Sequence, residues 1–187
     1  EPQGRGTCRH REAAQLCATA LRLLVGEQGA GRPVLPFAER HAKEDGDECK
    51  QVFTVVMTDG YWNGPDPGVG NTDGDNGAPY ADGYSNTLAD VAMKYFENDL
   101  SSMENLVPDG IYNHQHMVTY SVAFGAYGSL NPANFDFNKN IYPTWPNPAS
   151  ADKYKIDDLW HAAVNGRGRF MSASRPDELV ESLLDIM

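Results

Sequence analysis

Positive charge is scarce in this 187-residue sequence, which has 15 lysine and arginine residues against 26 aspartate and glutamate residues, a net charge of −11. No run of lysine and arginine occurs. Nucleic-acid binding depends on clustered positive charge, which displaces counterions from the phosphates, and anionic lipid attracts the same kind of cluster. We therefore expect neither nucleic acid nor an anionic membrane surface as a partner.

Long apolar runs are also missing. The longest, residues 52–57 and 118–124, are far shorter than the roughly 20 residues that cross a bilayer as a helix. The sequence therefore predicts no transmembrane helix. Its first residues, EPQGR, contain no apolar signal core, so either the protein is not exported or a targeting segment was removed before this chain begins.

Cysteine is rare, and the three present, Cys8, Cys17 and Cys49, lack the paired CxxC spacing of most structural zinc sites. We therefore expect no structural zinc site. Cys17 lies in an apolar helical stretch and is predicted to be buried. The pairing stays open between a Cys8–Cys49 disulfide and free thiols.

The remaining composition is that of a folded protein, with 41% apolar residues and 18 glycines. The length indicates a single domain over residues 1–187. Helical and strand patterns alternate along it, and long glycine- and proline-rich loops at 61–84 and 126–155 follow two of the strands. The predicted helices are 11–25, 88–100, 156–165 and 176–187, and the predicted strands are 51–58, 116–124 and 168–172.

This alternation predicts an α/β fold with a Rossmann-like, open, mainly parallel sheet and helices on both faces. Such sheets bind ligands at the carboxyl ends of their strands. Asp59 stands there, directly after the strand over 51–58, and Gly60 lets the backbone turn. Asp59 is thus a candidate ligand-binding residue, although an aspartate that caps a strand-to-loop turn would look the same. Tyr61, Trp62 and Asn63 follow and are candidate partner-binding residues, with packing of the two aromatic rings over the end of the sheet as an equal alternative.

The acidic loop after Asp59 resembles a calcium loop only in part. Asn71, Asp73, Asp75 and Asp82 supply oxygen ligands, but an EF-hand needs glycine at its sixth position and glutamate at its twelfth, and neither is present. A looser calcium site at Asp73 and Asp75 is one hypothesis. A solvated turn rich in aspartate and glycine is the favoured alternative.

The histidines could bind a metal ion or make local hydrogen bonds. His114 and His116 share one face of an extended segment, where they could hold zinc or iron. No third ligand is visible, so local hydrogen bonding is favoured for both and for His161, whereas Trp160 is predicted to be in the core. No G-x-S-x-G, Walker A or G-x-G-x-x-G motif occurs.

Four sequence blocks resemble a known family. They are MTDGYWNG, PYADGYSNTLADVAMKYFENDL, HQHMVTYSVAFG and IDDLWHAAVNGRGRFMSAS, in this order. They look like the PilY family of type IV pilus tip-associated proteins over roughly residues 49–187, and the match is poor before Cys49. The resemblance implies the carboxyl-terminal part of a von Willebrand factor type A domain, without its first strand or strands.

Type A domains of this kind imply a metal-ion-dependent adhesion site. By the resemblance, Asp59 is its later aspartate and Thr7 its threonine, together holding Mg²⁺, or Mn²⁺ or Ca²⁺. Hard oxygen ligands suit such ions. No Asp-x-Ser-x-Ser sequence occurs here, so either the chain is a fragment, which we favour, or metal binding has been lost. A missing first strand would leave an edge beside residues 52–58 for another segment or chain to cover.

The resemblance implies a non-enzymatic adhesion and pilus assembly domain on the surface of a Gram-negative bacterium, at the pilus tip, exported by a signal peptide that this chain does not contain. Minor pilins, a host surface or an abiotic surface are the expected partners. One alternative is a metal-dependent hydrolase using Asp59, Asp73 or Asp75 and a histidine. The other is a metal-free type A scaffold that binds through the two long loops.

Overall fold

The computed structural model describes residues 51–102, 104–106 and 112–173, together with Val180 and Leu184. The predicted helix over 11–25, all three cysteines and Thr7 lie outside the described residues, as does most of the predicted helix over 176–187.

Three parallel strands form the sheet, in the order β1 (Val52–Thr58), β2 (Met117–Phe124) and β3 (Arg167–Ala173). β1 pairs with β2 without interruption, from Val52 opposite Met117 to Thr58 opposite Ala123. β2 pairs with β3 after a register shift between Thr119 and Ser121. All three strands therefore end at one edge of the sheet, which positions the loops that follow them.

Helix α1 (Leu88–Glu97) lies between β1 and β2 and begins at a capping box. The Thr87 hydroxyl accepts from the Asp90 backbone N–H, and the Asp90 carboxylate accepts from the Thr87 backbone N–H. The helix buries Ala89, Ala92, Met93 and Phe96. It is shorter than the predicted 88–100 because Asn98 is extended and its side-chain amide donates to the Lys94 carbonyl oxygen, which ends the helix.

Helix α2 (Asp152–Asn165) lies between β2 and β3 and is buried on almost every side from Ile156 to Ala163. It begins about one turn before the predicted start at residue 156, because its first turn is polar and exposed and so lacks the apolar spacing on which the prediction relied. Each helix packs on the sheet and on the other helix. Ala123, Ala126, Ile156 and Leu159 form the core between α2 and the sheet.

The connection from β2 to α2 contains two short 3₁₀ helices, Pro132–Asn134 and Phe137–Lys139. Its aromatic residues cover α2: the Trp145 and Phe135 rings lie 5.0 and 5.7 Å from the Trp160 ring. Trp160 is in the core, as predicted.

The α/β class and the parallel sheet are confirmed. Helices on both faces and the boundaries of the domain stay predictions. Within the described residues β1 is an edge strand, and none of their helices is long and apolar enough to cross a bilayer.

Candidate functional site

The loop between β1 and α1 folds inward at two aspartates. A turn brings the backbone N–H groups of Tyr80 and Ala81 to the Gly77 carbonyl oxygen, at 2.9 Å each. The turn returns the chain so that the Asp82 backbone N–H donates to Asp73 Oδ1 at 3.2 Å. The Asp73 and Asp82 side chains are 0% and 6% exposed. A loop read from the sequence as solvated therefore carries two buried carboxylates.

His161, from the middle of α2, completes this group. Its Nε2 lies 3.6 Å from Asp73 Oδ2, its Nδ1 lies 3.4 Å from Asp82 Oδ2, and its side chain is 1% exposed. One ligand atom from each of the three residues lies within 4.8 Å of the other two. The group could therefore hold a metal ion. We call Asp73, Asp82 and His161 the Asp–Asp–His group.

The imidazole of His161 is held by its surroundings. Its ring stacks on Trp145, with centroids 4.1 Å apart and planes 11° apart. Trp145 in turn donates from Nε1 to the Pro79 carbonyl oxygen at 2.8 Å, and the Tyr80 carbonyl oxygen is in hydrogen-bond contact with His161 Nε2. The acidic loop, the second long loop and α2 therefore meet at this one ring.

Asn165, one turn further along α2, contacts the same group. Its Nδ2 donates to Asp73 Oδ2 at 2.8 Å and to the Ala89 carbonyl oxygen at 3.2 Å. Its Oδ1 is buried and has no hydrogen-bond partner among the described residues. A buried acceptor without a donor is costly, so the Asn165 oxygen marks a place where a ligand would be stabilised.

Burial shapes the electrostatics of this region. Burial raises the pKa of Asp73 to about 6, although the hydrogen bond from the Asp82 backbone and the nearby His161 oppose the rise. Burial also raises the pKa of Asp158 to about 7. The Asp158 carboxylate accepts from the backbone N–H groups of Leu88 and Ala89 at 3.0 and 3.1 Å, at the start of α1. These carboxylates are costly to keep ionised without a compensating charge.

The residues predicted at the sheet edge lie on the surface. Asp59 is exposed at the carboxyl end of β1, and it belongs to no described group of three histidine, cysteine, aspartate or glutamate side chains that could share an ion. The described residues therefore do not by themselves form the magnesium site that the resemblance implies. Tyr61 and Asn63 are exposed, while Trp62 is half-buried beneath the Lys155 ammonium, 5.6 Å from its ring centroid.

The two residues of the suggested calcium loop point apart. Asp73 is buried, whereas Asp75 is exposed in an open polar depression beside Lys94 and Glu97. His114 and His116 contact backbone carbonyl oxygens, His114 Nε2 that of Phe96 at 2.7 Å and His116 Nδ1 that of His114 at 3.0 Å. The local hydrogen bonding favoured for these two histidines is present.

Comparison with characterised proteins gives one consistent result. The type IV pilus biogenesis factor PilY1 of Pseudomonas aeruginosa strain PAK is 31% identical over 194 aligned residues, which cover 81% of this chain. PilY1 of strain PAO1 is also 31% identical over 81% of the chain, and that of strain UCBPP-PA14 is 33% identical over 84%. This chain is homologous to part of PilY1. The sequence resemblance to the PilY family is thereby confirmed.

The homology to PilY1 covers a limited part of that protein, because the aligned region spans 17% of PilY1's length. No protein-family model matches the chain. No solved structure matches it either. The assignment to the von Willebrand factor type A fold therefore stays a prediction from the resemblance, and the homology to PilY1 is established separately.

Sequence reasoning missed the Asp–Asp–His group of this PilY1 homologue, although α2 carries a signal for it. Asp158, His161 and Asn165 recur at intervals of three and four residues, which places them on one side of the helix. The residues between them include Leu159, Trp160, Ala162 and Ala163, which are apolar and buried. Polar residues at helical spacing in a helix that is buried all round need internal partners. That pattern pointed to a polar site, though not to Asp73 and Asp82 as its other members.

Proposed function

We propose that this chain is a non-catalytic domain of a type IV pilus biogenesis factor similar to PilY1, and that it binds a protein partner at the carboxyl edge of its sheet. The homology to PilY1 over 81% of the chain supports this proposal. A surface-exposed, pilus-associated location follows from the same homology, with a pilus-tip position as the finer expectation.

Two exposed tyrosines support the choice of edge. Tyr61 and Tyr127 each lie three residues beyond the last residue of a strand, β1 and β2 respectively. These strands are parallel neighbours in register, so both tyrosines project from loops at the same edge, where Asp59 also lies. Tyr61 is 46% exposed and Tyr127 61%. Exposed aromatic residues are frequent anchors of protein–protein interfaces.

A minor pilin is the partner class that we propose, because the relatives are named as pilus biogenesis factors. The chain's net charge of −11 favours a partner surface with complementary positive charge. Asp59 would contribute at the rim of this interface, either directly or through the divalent ion that the type A resemblance implies. Adhesion to a host or abiotic surface would use the same edge.

Catalysis is not part of the proposal. The hydrolase alternative needed a metal-bound water within reach of a substrate. Among the described residues, the group able to hold an ion is the buried Asp–Asp–His group, and the two exposed aspartates of the hydrolase alternative, Asp59 and Asp75, do not belong to it. A buried group of this kind suits a structural role. Homology to a pilus biogenesis factor points in the same direction.

The proposal is tested by measuring the affinity of the purified chain for purified minor pilins of the same bacterium. We expect Tyr61→Ala and Tyr127→Ala each to weaken binding by about tenfold or more, as truncation of an interface anchor does. Phe53→Ala is the matched control, because Phe53 is an exposed aromatic (37%) near the opposite end of β1. It should change the affinity less than about threefold.

In the complete pilus factor, Tyr61→Ala and Tyr127→Ala should reduce the number of surface pili more than Phe53→Ala does. Equal effects of all three substitutions on binding, or no measurable binding of any minor pilin by the correctly folded chain, would contradict the proposal. Binding that depends instead on a substratum, and is lost in the tyrosine variants, would assign the edge to adhesion.

A further inference from the structure

The two ring nitrogens of His161 face more hydrogen-bond acceptors than a neutral imidazole can donate to. Its Nε2 faces the Tyr80 carbonyl oxygen and Asp73 Oδ2, and its Nδ1 faces Asp82 Oδ2. A neutral imidazole has one N–H group, so one ring nitrogen would direct its lone pair at an oxygen lone pair. The arrangement is stable only if an additional proton, on the ring or on a facing carboxyl group, or a metal ion lies between the ring and these oxygens.

The charge inventory favours a metal ion. Within the described part of the chain, no lysine or arginine pairs with Asp73 or Asp82, and the basic side chain that faces both carboxylates is His161. A single proton on His161 therefore leaves two buried carboxylates against one positive charge. Buried carboxylates are stabilised by hydrogen-bond donors, paired cations or coordinated metal ions. A divalent ion would balance both carboxylates and leave the imidazole neutral.

Asn165 gives a second, independent indication. Its amide group touches Asp73 through Nδ2, while its buried Oδ1 has no donor among the described residues. A protonated His161 would leave this oxygen as it is. A bound ion, or a water molecule carried by the ion, would supply the missing partner.

We propose that Asp73, Asp82 and His161 bind one divalent transition-metal ion, with Zn²⁺ preferred, in a buried structural site. An imidazole nitrogen with two carboxylate oxygens suits Zn²⁺, whereas Ca²⁺ and Mg²⁺ select all-oxygen surroundings. Zinc bond lengths of about 2.0–2.2 Å put tetrahedral ligands about 3.4 Å apart. The ligand atoms lie within 4.8 Å of one another, so closure by up to about 1.4 Å would place three ligands at tetrahedral positions and leave the fourth position for a water molecule.

The proposed site uses no cysteine and is separate from Asp59. It departs from the sequence-based expectation of no structural zinc, which rested on cysteine spacing alone, and it differs from the adhesion-type site that the type A resemblance implies. Its role follows from its ligands: Asp73 and Asp82 belong to the acidic loop and His161 to α2, so the ion would fix the loop on the helix. The proposal stands independently of partner binding.

Thermal unfolding of the chelator-treated 187-residue chain provides the test. One equivalent of Zn²⁺ should raise the unfolding midpoint by about 5–10 °C, as expected for a site occupied far above its dissociation constant. Mg²⁺ and Ca²⁺ should raise it much less. Asp82→Asn and His161→Gln should abolish the zinc response. Asp75→Asn and His116→Gln, which change an exposed aspartate and a half-buried histidine outside the group, are the matched controls and should retain it.

Cobalt substitution separates this site from zinc binding by the cysteines. Co²⁺ in the Asp–Asp–His group should give visible ligand-field bands without the intense near-ultraviolet band of a thiolate ligand. This measurement on the unmodified chain decides the question even if His161→Gln and Asp82→Asn fail to fold. Three results would overturn the proposal: no zinc response, a thiolate band with Co²⁺, or an equal response in the group variants and their controls. The lone-pair conflict at His161 would then be relieved by a proton instead of a metal ion.

Discussion

At the scale of single residues, the described part of the chain is organised by buried aspartates that bind backbone N–H groups. Asp157 accepts from the N–H groups of Ser129 and Leu130, both at 3.0 Å. Asp90 accepts from Thr72 as well as from Thr87, and Asp158 holds the start of α1. Each of these aspartate side chains joins a loop or a helix end to a helix. Hydrogen bonds from backbone N–H groups are strongest when the accepting carboxyl group is ionised.

The raised pKa of Asp158 predicts a pH dependence of stability. The pKa of this carboxyl is near 3.8 in the unfolded chain and about 7 in the folded chain. Burial raises it, and the hydrogen bonds from the Leu88 and Ala89 backbone N–H groups and the nearby His161 oppose the rise. Between these values the folded chain binds more protons, so the free energy of unfolding falls as pH rises from about 4 to about 7 and then levels off.

Asp158→Asn removes this contribution. The free energy of unfolding of the variant minus that of the unsubstituted chain should increase as pH rises from about 4 to about 7, by at most about 4 kcal/mol. Urea unfolding at several pH values measures the difference, and Asp75→Asn, which alters an exposed carboxylate, is the control. Parallel stability curves for the unsubstituted chain and Asp158→Asn would show that the folded protein does not retain this proton.

The residue scale is also where the sequence was least informative. Asp73 and Asp75 are equivalent in local sequence, since both belong to a run of aspartate, asparagine and glycine. One is buried and the other exposed, because the turn at Gly77 and contact with α2 decide which carboxylate faces inward. These contacts join residues 81 and 92 positions apart, so no local pattern encodes them.

At the scale of elements, the sequence predicted all three described strands and both described helices. β1 and β2 were recognised because each is a short apolar run followed by glycine. The boundaries of the helices were less accurate, since the end of α1 depends on the Asn98 side chain and the first turn of α2 is polar. Thr87 caps α1, because its hydroxyl directly precedes the apolar face of the helix.

The approach of β3 to β2 is an element-scale feature with a sharp test. A Cβ atom at Gly168 would lie 2.1 Å from the Thr119 carbonyl oxygen, within the register shift between the two strands. Gly168→Ala should therefore push β3 away from β2 and destabilise the chain by about 3 kcal/mol or more. Urea unfolding followed by circular dichroism measures this.

Gly64→Ala is the control for this prediction, because nothing lies within 4 Å of a Cβ atom at Gly64. It should change the free energy of unfolding by less than about 1 kcal/mol. If Gly168→Ala is tolerated equally well, the two strands are not in close contact at this point.

At the scale of the whole molecule, the open question is whether the sheet edge holds an ion. The type A resemblance assigns Asp59 and Thr7 to one site, but the sequence contains no Asp-x-Ser-x-Ser motif to complete it. We therefore expect Mg²⁺ to shift the unfolding midpoint by less than about 1 °C, both in the unsubstituted chain and in Asp59→Ala. Since Asp59 is exposed, its loss should cost less than about 0.5 kcal/mol.

The measurement is thermal unfolding with and without Mg²⁺, with Zn²⁺ as the reference ion. A stabilisation by Mg²⁺ that disappears in Asp59→Ala would contradict the expectation and establish a working adhesion-type site in this chain. Asp59→Ala should in either case retain the zinc response, because Asp59 is not a member of the Asp–Asp–His group.

The meeting of the acidic loop with α2 also limits how the protein can be divided. Tyr80 contacts His161 across 81 positions and Asp73 contacts Asn165 across 92, so any cut in the chain between them separates polar groups that are buried against one another. In separately expressed pieces, the buried side chains of each piece would be exposed to water. Engineered truncations and fusion boundaries should therefore keep residues 71–165 on one continuous polypeptide.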